Sequence, residues 1–329
     1  MHRHDVGAQE RRKSPRSDNR DQDHPGGIAP EVLTFDLPHL QVSALAWGPP
    51  DGRLALCLHG YPDTAWTWRR LGPGLAAQGF RVVAPFSRGY SPTQIPRDGD
   101  YHVGALMFDA IAVHRELGAP SDAVLIGHDW GGFTAVALAA HPDSPFTKVV
   151  ALATPVLCGF RRRLGPKVLR RLPVQARLSW YVLYQQLPFL PQRTLSGVIP
   201  RLWRDWCPPG YDAGTDLEHL WASLPDRAHR SAAISYYQFQ FQPRRQHAAY
   251  RPLHRSWRRK PLIPILLIHG ALDGGLDPQL ATASAHGLAA GSKHEILSGA
   301  GHFVQLDQPD RVAQLIIEYA ARTASECVQ

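Results

Sequence analysis

The sequence predicts an α/β fold in which a mostly parallel sheet is flanked by helices and carries an inserted helical cap. Runs typical of strands alternate with runs typical of helices over residues 31–155 and again over residues 261–329. Between them, over residues 156–260, tryptophans, tyrosines and prolines replace the strand-like runs. Repeated βα units with short connections favour a parallel sheet covered on both faces. We therefore expect functional loops at the carboxyl ends of its strands.

Short apolar runs rich in branched side chains predict the strands, and longer runs with helical spacing predict the helices. Residues 1–30 are polar, charged and nearly devoid of large apolar side chains, which predicts a disordered tail. The expected strands are 31–37, 40–47, 53–58, 80–86, 123–126, 148–153, 263–268 and 294–297. The expected helices are 64–78, 103–117, 133–140, 168–183, 231–241, 278–289 and 311–322.

Composition limits the class of protein. The chain has 329 residues, 44% of them hydrophobic, and can bury a large core. It has no long apolar run and no apolar segment near its start, so we expect a cytoplasmic protein without stable membrane insertion. Its four cysteines form no CxxC pair, which favours reduced thiols. With no phosphate-binding or dinucleotide motif either, we expect no metal and no cofactor.

The formal charge of +8 is concentrated in the predicted cap. Residues 156–260 hold 19 Arg and Lys side chains against 5 Asp and Glu. Such a segment can attract anionic lipid, nucleic acid or an anionic substrate, although a solvated basic face is the simplest interpretation. We expect no nucleic-acid partner. A further possibility, which the sequence leaves open, is that arginines of the cap attract substrates that carry a carboxylate.

A glycine-rich turn, Gly127-His128-Asp129-Trp130-Gly131, joins a predicted buried strand to a predicted helix. Its glycines remove the Cβ atoms that would clash in so sharp a turn. Asp129 is then presented at the strand tip, where the amides of a helix start stabilise a carboxylate. A carboxylate is charged at neutral pH and needs no base to become nucleophilic. We interpret Asp129 as a nucleophile toward saturated carbons with a leaving group; a simple helix cap is the alternative.

Other polar positions also follow predicted strands. His59 and Tyr61 lie in His-Gly-Tyr-Pro after the third strand, where the Tyr61 amide can face the strand tips. Asp273 follows the seventh strand, and His302 lies in Gly-Ala-Gly-His-Phe after the last. Nucleophile, acid and histidine thus occur in the chain order of the α/β-hydrolase triad. Asp277, four residues beyond Asp273, is the alternative acid.

Four motifs together resemble the epoxide hydrolase branch of the α/β-hydrolase fold, over residues 31–323: Gly-His-Asp-Trp-Gly-Gly, His-Gly-Tyr-Pro, Arg-Gly-Tyr-Ser-Pro-Thr and Gly-His-Phe. The resemblance implies a cap with two tyrosines whose hydroxyls bind the epoxide oxygen. The better matches are Tyr181, with Tyr184 as its neighbour, and Tyr237, with Tyr236 as its neighbour. It further implies a small hydrophobic epoxide and water as substrates, and it leaves a homodimer open.

Together with the position of Asp129, this resemblance implies an epoxide hydrolase that forms a covalent ester on Asp129. Tyr181 and Tyr237 are expected to hold the ring oxygen while Asp129 attacks a ring carbon, since a tyrosine can give up a proton to an alkoxide. His302, oriented by Asp273, is then expected to activate the water that hydrolyses the ester and releases a vicinal diol.

The amides of Tyr61 and Trp130 are expected to stabilise the oxyanion of the hydrolytic step, with His59 beside them. A haloalkane dehalogenase is the first alternative, because it shares the fold, the aspartate and a tryptophan like Trp130. Tyr61 speaks against it, since that family often has asparagine there. Haloacetate dehalogenases tend to have arginine in place of Trp130. A hydrolase-fold protein that binds through its basic cap without catalysis is the remaining alternative.

Overall fold

Eight strands form a single sheet within residues 28–160 and 165–322, the part of the chain that this computed structural model describes. The predicted tail lies almost entirely outside these residues. The strands are β1 Glu31–Leu37, β2 Leu40–Trp47, β3 Arg53–Leu58, β4 Phe80–Pro85, β5 Val124–His128, β6 Lys148–Leu152, β7 Ile265–Gly270 and β8 Lys293–Leu297. Their order across the sheet is β1-β2-β4-β3-β5-β6-β7-β8.

The sheet is antiparallel at one end and parallel elsewhere. β2 pairs antiparallel with β1 and with β4, and every pair from β4 to β8 is parallel. The central strands β5 and β7 are buried along their whole length, whereas the edge strands β1 and β8 are partly exposed. Continuous apolar runs are typical of parallel strands covered on both faces. The predicted fold class is confirmed.

Helices cover the sheet and fill the interval between β6 and β7. They are α1 Leu71–Ala76, α2 Val103–Glu116, α3 Trp130–Ala139, α4 Leu157–Phe160, α5 Pro166–Leu178, α6 Trp180–Tyr184, α7 Leu190–Trp206, α8 Gly214–Ser223, α9 Arg227–Phe239, α10 Arg251–His254, α11 Pro278–Ser284, α12 Val304–Asp307 and α13 Pro309–Ala321. Short 3₁₀ helices lie at Ala65–Trp68, Pro243–Arg245, Ala248–Tyr250 and Ala285–Gly287. In the described ranges, none has the length and apolar character needed to cross a bilayer.

The predicted helices were wrong in several places. The expected helix 64–78 is a 3₁₀ turn followed by the short α1, and Pro73 in α1 lacks the amide that a longer helix needs. The expected helix 168–183 is two helices that meet at Ser179, and the helix 278–289 ends at Ser284. Helices α7 and α8 were not predicted. Helix α7 was missed because it contains Pro200, and an internal proline normally indicates the end of a helix.

The cap, formed by helices α4 to α10, is held over the strand tips by buried polar and aromatic contacts. Asp216 of α8 and Arg69 of the core form a buried ion pair with a 2.6 Å N–O distance. The Trp203 ring of α7 stacks on Phe303 at 3.8 Å between centroids. Its indole N–H donates to the Pro62 carbonyl oxygen at 2.9 Å. These contacts fix one side of the cap relative to the sheet.

Candidate active site

The turn between β5 and α3 holds Asp129 in an unusual backbone conformation. Its φ of 51° lies in the left-handed region, which is rare for residues other than glycine. A Cβ on Gly127 would lie 2.1 Å from the Gly131 carbonyl oxygen, and a Cβ on Gly131 would lie 2.1 Å from that of Leu58. Both glycines are therefore required for the strand, the turn and the helix to pack this closely.

The two oxygens of the Asp129 carboxylate have different surroundings. Oδ1 accepts a 2.8 Å hydrogen bond from the Tyr61 amide, and Oδ2 lies 3.9 Å from His302 Nε2. The side chain makes no capping hydrogen bond to α3, so the simple helix cap is not its role. Burial raises the pKa of Asp129 to about 6, although His302 and the amides of Tyr61 and Trp130 favour its charged form. It is therefore mostly ionised at neutral pH, with a higher pKa than the unperturbed carboxyl that we expected.

His302 is oriented by Asp273 at the tip of β7. The His302 Nδ1–H donates to Asp273 Oδ2 at 2.9 Å, while the amides of Gly275 and Leu276 donate to Oδ1. Despite burial, the neighbouring histidines and these amides hold the pKa of Asp273 at about 2. Burial disfavours a charged His302, but the carboxylates of Asp273 and Asp129 outweigh it and raise its pKa. Its Nε2 is buried and makes no hydrogen bond to any residue that the structure describes.

Asp277, the alternative acid, has other partners. Its Oδ1 accepts hydrogen bonds from the amides of Gln279 and Leu280 and so caps α11. Its Oδ2 pairs with the Arg171 guanidinium of α5. Of the two candidate acids, only Asp273 contacts the histidine.

A cavity of about 320 Å³ lies between these strand tips and the cap. Its wall is mainly apolar, with a few polar groups, as is common in small-molecule sites. The nucleophile candidate and His302 lie at the wall, as do the two cap tyrosines that match best. The residues that contact the cavity include Asp129, Trp130, Phe133, Leu157, Tyr181, Val182, Tyr237, Trp257, Leu276 and His302.

The rings of Tyr181 and Tyr237 pack edge to face at the wall of the cavity that Asp129 also lines, with centroids 5.5 Å apart. The Tyr237 ring also contacts the rings of Tyr61 and Trp130, each at 5.1 Å between centroids. Burial raises the pKa of both cap tyrosines, so both hydroxyls stay protonated. The Tyr237 hydroxyl is buried without a hydrogen bond of ordinary geometry. The pair therefore presents O–H donors to the cavity.

The neighbours of these tyrosines do not reach the cavity, which corrects our expectation for both. The Tyr184 hydroxyl shares a 2.5 Å hydrogen bond with Thr194 Oγ1 inside the cap. The Tyr236 hydroxyl donates to the Arg88 carbonyl oxygen at 2.8 Å. Tyr236 and Tyr237 are adjacent on a helix and so point about 100° apart, which turns Tyr236 away when Tyr237 faces the cavity. Tyr184 lies three residues after Tyr181, on the same side of its helix but about one turn farther along.

His59 also differs from its expected position. Its Nε2 accepts from the Ser87 amide, and its Nδ1–H donates to the Gly60 carbonyl oxygen, each at 2.9 Å. Burial lowers the pKa of His59 to about 4, so the ring is neutral. It does not contact the cavity. Its hydrogen bonds hold the loop that carries the Tyr61 amide, whose peptide bond to Pro62 is cis.

The family of the chain follows from a comparison with protein-family models. A model described as the alpha/beta hydrolase fold matches residues 56–309. The chain belongs to this family. The match includes every strand tip described above, and it confirms the fold that the order of nucleophile, acid and histidine indicated.

Relatives within the family carry the name epoxide hydrolase, which confirms the resemblance seen in the motifs. Bifunctional epoxide hydrolase 2 of Rattus norvegicus is 27% identical over 289 residues, 80% of this chain and 51% of that protein. This chain thus spans about half the length of that relative. Epoxide hydrolase A of Mycobacterium tuberculosis is 27% identical over 327 residues, 88% of this chain and 97% of that protein.

Solved structures support the fold, and one further relative bears on the alternative reaction. The crystal structure of epoxide hydrolase A from Mycobacterium thermoresistibile has a TM-score of 0.66 at 23% identity, over 88% of this chain and 98% of that one. A haloalkane dehalogenase of Mycobacterium marinum is 29% identical over 306 residues, 88% of this chain and 92% of that protein.

Two residues near the triad of this α/β hydrolase were missed in the sequence. The Trp206 carbonyl of α7 accepts the His302 amide at 2.9 Å, and its indole lies 4.7 Å from the imidazole. His269 Nε2 lies 3.1 Å from Asp273 Oδ2 and also donates to the Leu276 carbonyl oxygen. His269 precedes the acid by four residues, which is a usable signal; Trp206 had none, because α7 was not predicted.

The mouth of the cavity was not predicted either. Gln240, Phe241 and Arg258 contact the cavity from the segment after α9 and from the end of the cap. The Arg258 guanidinium lies 4.6 Å from the centroid of the Trp257 ring. Across residues 28–160 and 165–322, no group of three or more His, Cys, Asp and Glu side chains is arranged to hold a metal ion.

Proposed function

We propose that this α/β hydrolase converts epoxides to vicinal diols through a covalent ester on Asp129. The observation that carries the proposal is that the two oxygens of the Asp129 carboxylate have different neighbours. Oδ1 is held by the Tyr61 amide, whereas Oδ2 lies 3.9 Å from His302 Nε2, at a cavity that Tyr181 and Tyr237 also line. The relatives named epoxide hydrolases support the same reaction.

In the first step, Asp129 Oδ2 attacks a ring carbon and the bond from this carbon to the epoxide oxygen breaks. Tyr181 and Tyr237 donate hydrogen bonds to that oxygen, and one of them transfers its proton as the alkoxide forms. The apolar wall excludes water from the charged intermediate and strengthens both hydrogen bonds. The product of this step is an alkyl ester of Asp129.

In the second step, His302 removes a proton from water, and the hydroxide attacks Cγ of Asp129. The amides of Tyr61 and Trp130 stabilise the oxyanion that develops on Oδ1. Collapse breaks the bond between Cγ and Oδ2, and His302 returns its proton to the departing alkoxide. The second proton of the water leaves the Asp129 carboxyl and restores the tyrosine that gave up its proton in the first step, so that both groups regain their starting protonation. Ester formation itself prepares the base, because it removes the Asp129 charge that contributes to the raised pKa of His302.

The oxygen balance of this scheme gives a direct test. One diol oxygen comes from the epoxide and the other from Asp129, while the water oxygen remains on Asp129. In a single turnover in ¹⁸O water with excess enzyme, we expect an unlabelled diol and ¹⁸O on the peptide that contains Asp129. The label in the diol of the first turnover, with none on the enzyme, contradicts the ester.

A matched pair of variants separates the two steps. We expect His302→Gln to form the ester and then stall, so that intact-protein mass spectrometry detects an adduct equal to the mass of the epoxide. Asp129→Ala is expected to form no adduct and no diol. Absence of the adduct in His302→Gln, in a protein that melts like the parent, counts against the scheme.

Haloalkane dehalogenation is the second candidate because of Trp130. Its indole N–H is buried at the cavity wall without a hydrogen bond of ordinary geometry, close to the Tyr237 hydroxyl, and could bind a leaving halide. A relative with that name has similar identity. Bromide release from a panel of 1-bromoalkanes, compared with diol formation from styrene oxide, discriminates between the two reactions. Release of bromide without diol formation favours the dehalogenase.

A further inference from the structure

Large apolar side chains are exposed along one stretch of the cap, from the start of α5 to the start of α7. Of the fourteen that are exposed in the described part of the chain, seven lie between positions 169 and 190. Scattered exposed apolar residues are normal, whereas a dense group of them marks an interaction site. The group comprises Leu169, Leu172 and Val174 of α5, Leu183 of α6, and Leu187, Phe189 and Leu190 at the start of α7. We call it the outer cap face.

The packing of α5 explains this exposure. Its inner side is tied to the core, because Arg171 pairs with Asp277 and Gln175 donates to the Gly275 carbonyl oxygen. None of the described side chains of α5 is fully buried, although the helix is amphipathic. Helix α7 has a similar pattern but buries six of its side chains against the rest of the protein. Val168 of α5 packs against Leu276 and Leu280, whereas Leu169, Leu172 and Val174 remain exposed.

Phe189 adds an independent observation. Its φ of 62° lies in the left-handed region, which is unfavourable for a bulky residue, and its side chain is 66% exposed. An exposed phenyl group contributes little to folding stability. A strained backbone that directs an aromatic ring into solvent therefore points to an external partner.

The charge of this region indicates which partner. Residues 156–204 contain ten Arg and Lys and no Asp or Glu. Arg170, Arg177 and Arg193 are exposed among the apolar residues. Like charge opposes association with a second copy of the same face, and nucleic acid binding does not need exposed leucines. Exposed leucine, phenylalanine and arginine together match the interface of a bilayer with anionic lipid.

The outer cap face is also close to the cavity. Gln175 and Ser179, at the end of α5, and Val182 of α6 all line the cavity, so the same two helices form its wall. Phe241, which is 62% exposed, lines the cavity as well. A surface bound to this face would therefore lie beside the route that a hydrophobic substrate takes into the protein.

We propose that the outer cap face docks the protein on the surface of anionic lipid bilayers. Leu172, Phe189 and their apolar neighbours enter the boundary between headgroups and acyl chains, while Arg170 and Arg177 contact lipid phosphates. The attachment is peripheral and reversible. It brings the cavity to a phase in which apolar epoxides concentrate; this consequence rests on the proposed function, whereas the docking itself does not.

Sedimentation of the full-length protein with vesicles tests the docking. We expect binding to phosphatidylcholine vesicles that contain phosphatidylglycerol, little binding to phosphatidylcholine alone, and weaker binding at high salt. The double variant Leu172→Ser/Phe189→Ser is expected to bind about tenfold more weakly or worse, since each buried methylene contributes to interfacial affinity. Arg170→Gln and Arg177→Gln should each weaken binding about fivefold.

Matched controls change the same residue types elsewhere. Val32→Ser on β1 and Arg311→Gln on α13 alter exposed side chains far from the cap in sequence and should leave vesicle binding unchanged. Melting temperatures of all variants should stay close to that of the parent, because every altered side chain is exposed. Cap variants that bind like these controls overturn the docking surface, as does equal binding to neutral and anionic vesicles.

Two further outcomes identify a different occupant. A dimer in sedimentation velocity that Leu172→Ser/Phe189→Ser abolishes would assign the face to a second copy. Salt-sensitive DNA binding lost in the same variant, without vesicle binding, would assign it to nucleic acid. Either result overturns the proposal. Vesicle binding in a protein that turns over no epoxide would instead refute the proposed function and leave the docking intact.

Discussion

The core and the cap contribute to the same cavity in different ways. Core side chains are bound to each other or to backbone amides: Asp273 accepts from His302 at 2.9 Å, and Asp129 accepts from the Tyr61 amide at 2.8 Å. The cap tyrosines reach the cavity through ring packing, and the Tyr237 hydroxyl makes no hydrogen bond of ordinary geometry.

This difference separates two functional requirements. Charges that must not move are held by short hydrogen bonds at the rigid tips of strands, where parallel pairing fixes their spacing. Of the two cap tyrosines, Tyr237 has a buried hydroxyl that makes no hydrogen bond of ordinary geometry to a described residue. Under the proposed function, the epoxide oxygen becomes its acceptor. Asp277 in the core, and Tyr184 and Tyr236 in the cap, are of the same type as the proposed functional residues and serve as matched controls in the predictions below.

Among the variants that contrast the core with the cap, the largest expected effect concerns the acid in the core. Asp273→Asn should lower kcat on the order of 10³-fold, because the neutral amide no longer stabilises the charged imidazole or fixes its tautomer. Asp277→Asn should leave kcat nearly unchanged, since asparagine also caps helices and Asp277 does not contact His302. Steady-state kinetics on one epoxide checks both variants. Equal losses would remove the distinction between these two aspartates.

The next effect concerns the cap donors. Tyr181→Phe and Tyr237→Phe should each slow ester formation about 10- to 100-fold, because one donor to the leaving oxygen remains in each variant. Pre-steady-state mixing with a styrene oxide isolates this step.

Tyr184 and Tyr236, the neighbours of these two tyrosines, serve as controls for the effect of losing a hydroxyl. Tyr184→Phe and Tyr236→Phe should form the ester at the parental rate, since both hydroxyls bond within the protein. Tyr236→Phe should also lower the free energy of unfolding by about 1 kcal/mol, because the Arg88 carbonyl loses its donor. A slow ester-forming step in Tyr236→Phe would show that Tyr236, and not Tyr237, donates to the leaving oxygen.

The two steps should also differ in their dependence on pH. Asp129 must be ionised to attack, so ester formation should fall about tenfold per pH unit below its pKa of about 6. His302 must be neutral to act as a base, and the Asp273 carboxylate, which stays charged in the ester, favours its protonated form. Hydrolysis should therefore fail at a higher pH than ester formation, so that the ester accumulates in mildly acidic solution. Quenched samples analysed by mass spectrometry over a pH series measure this accumulation. If no ester accumulates, hydrolysis does not slow at a higher pH than ester formation, and the prediction is wrong.

The smallest expected effect lies at the cavity mouth. Arg258→Gln should lower kcat/KM about two- to fivefold for an epoxide with a carboxylate, because an exposed guanidinium attracts an anion only weakly in water. Neutral epoxides should be unaffected, and Arg255→Gln, whose exposed side chain does not contact the cavity, is the control. An equal loss for neutral and anionic substrates would exclude steering by Arg258.

The sequence by itself determined most of the core. The strands could be located because parallel strands covered on both faces need continuous apolar runs, and the glycines around Asp129 are required by one local turn. Three polar residues that follow separate strands must meet at one edge of a parallel sheet. Asp129, Asp273 and His302 were therefore identified without any knowledge of the cap.

Only the tertiary structure decided which side chains face the nucleophile from the cap. Tyr181 and Tyr237 line the cavity, whereas Tyr184 and Tyr236 do not, and this depends on the placement of two helices whose packing partners are distant in sequence. The Trp206 carbonyl accepts the His302 amide from α7, a helix that was not predicted because it contains an internal proline. Local patterns record the period of a helix but not the surface it packs against, and the cap is held by long-range contacts such as the buried pair of Arg69 and Asp216.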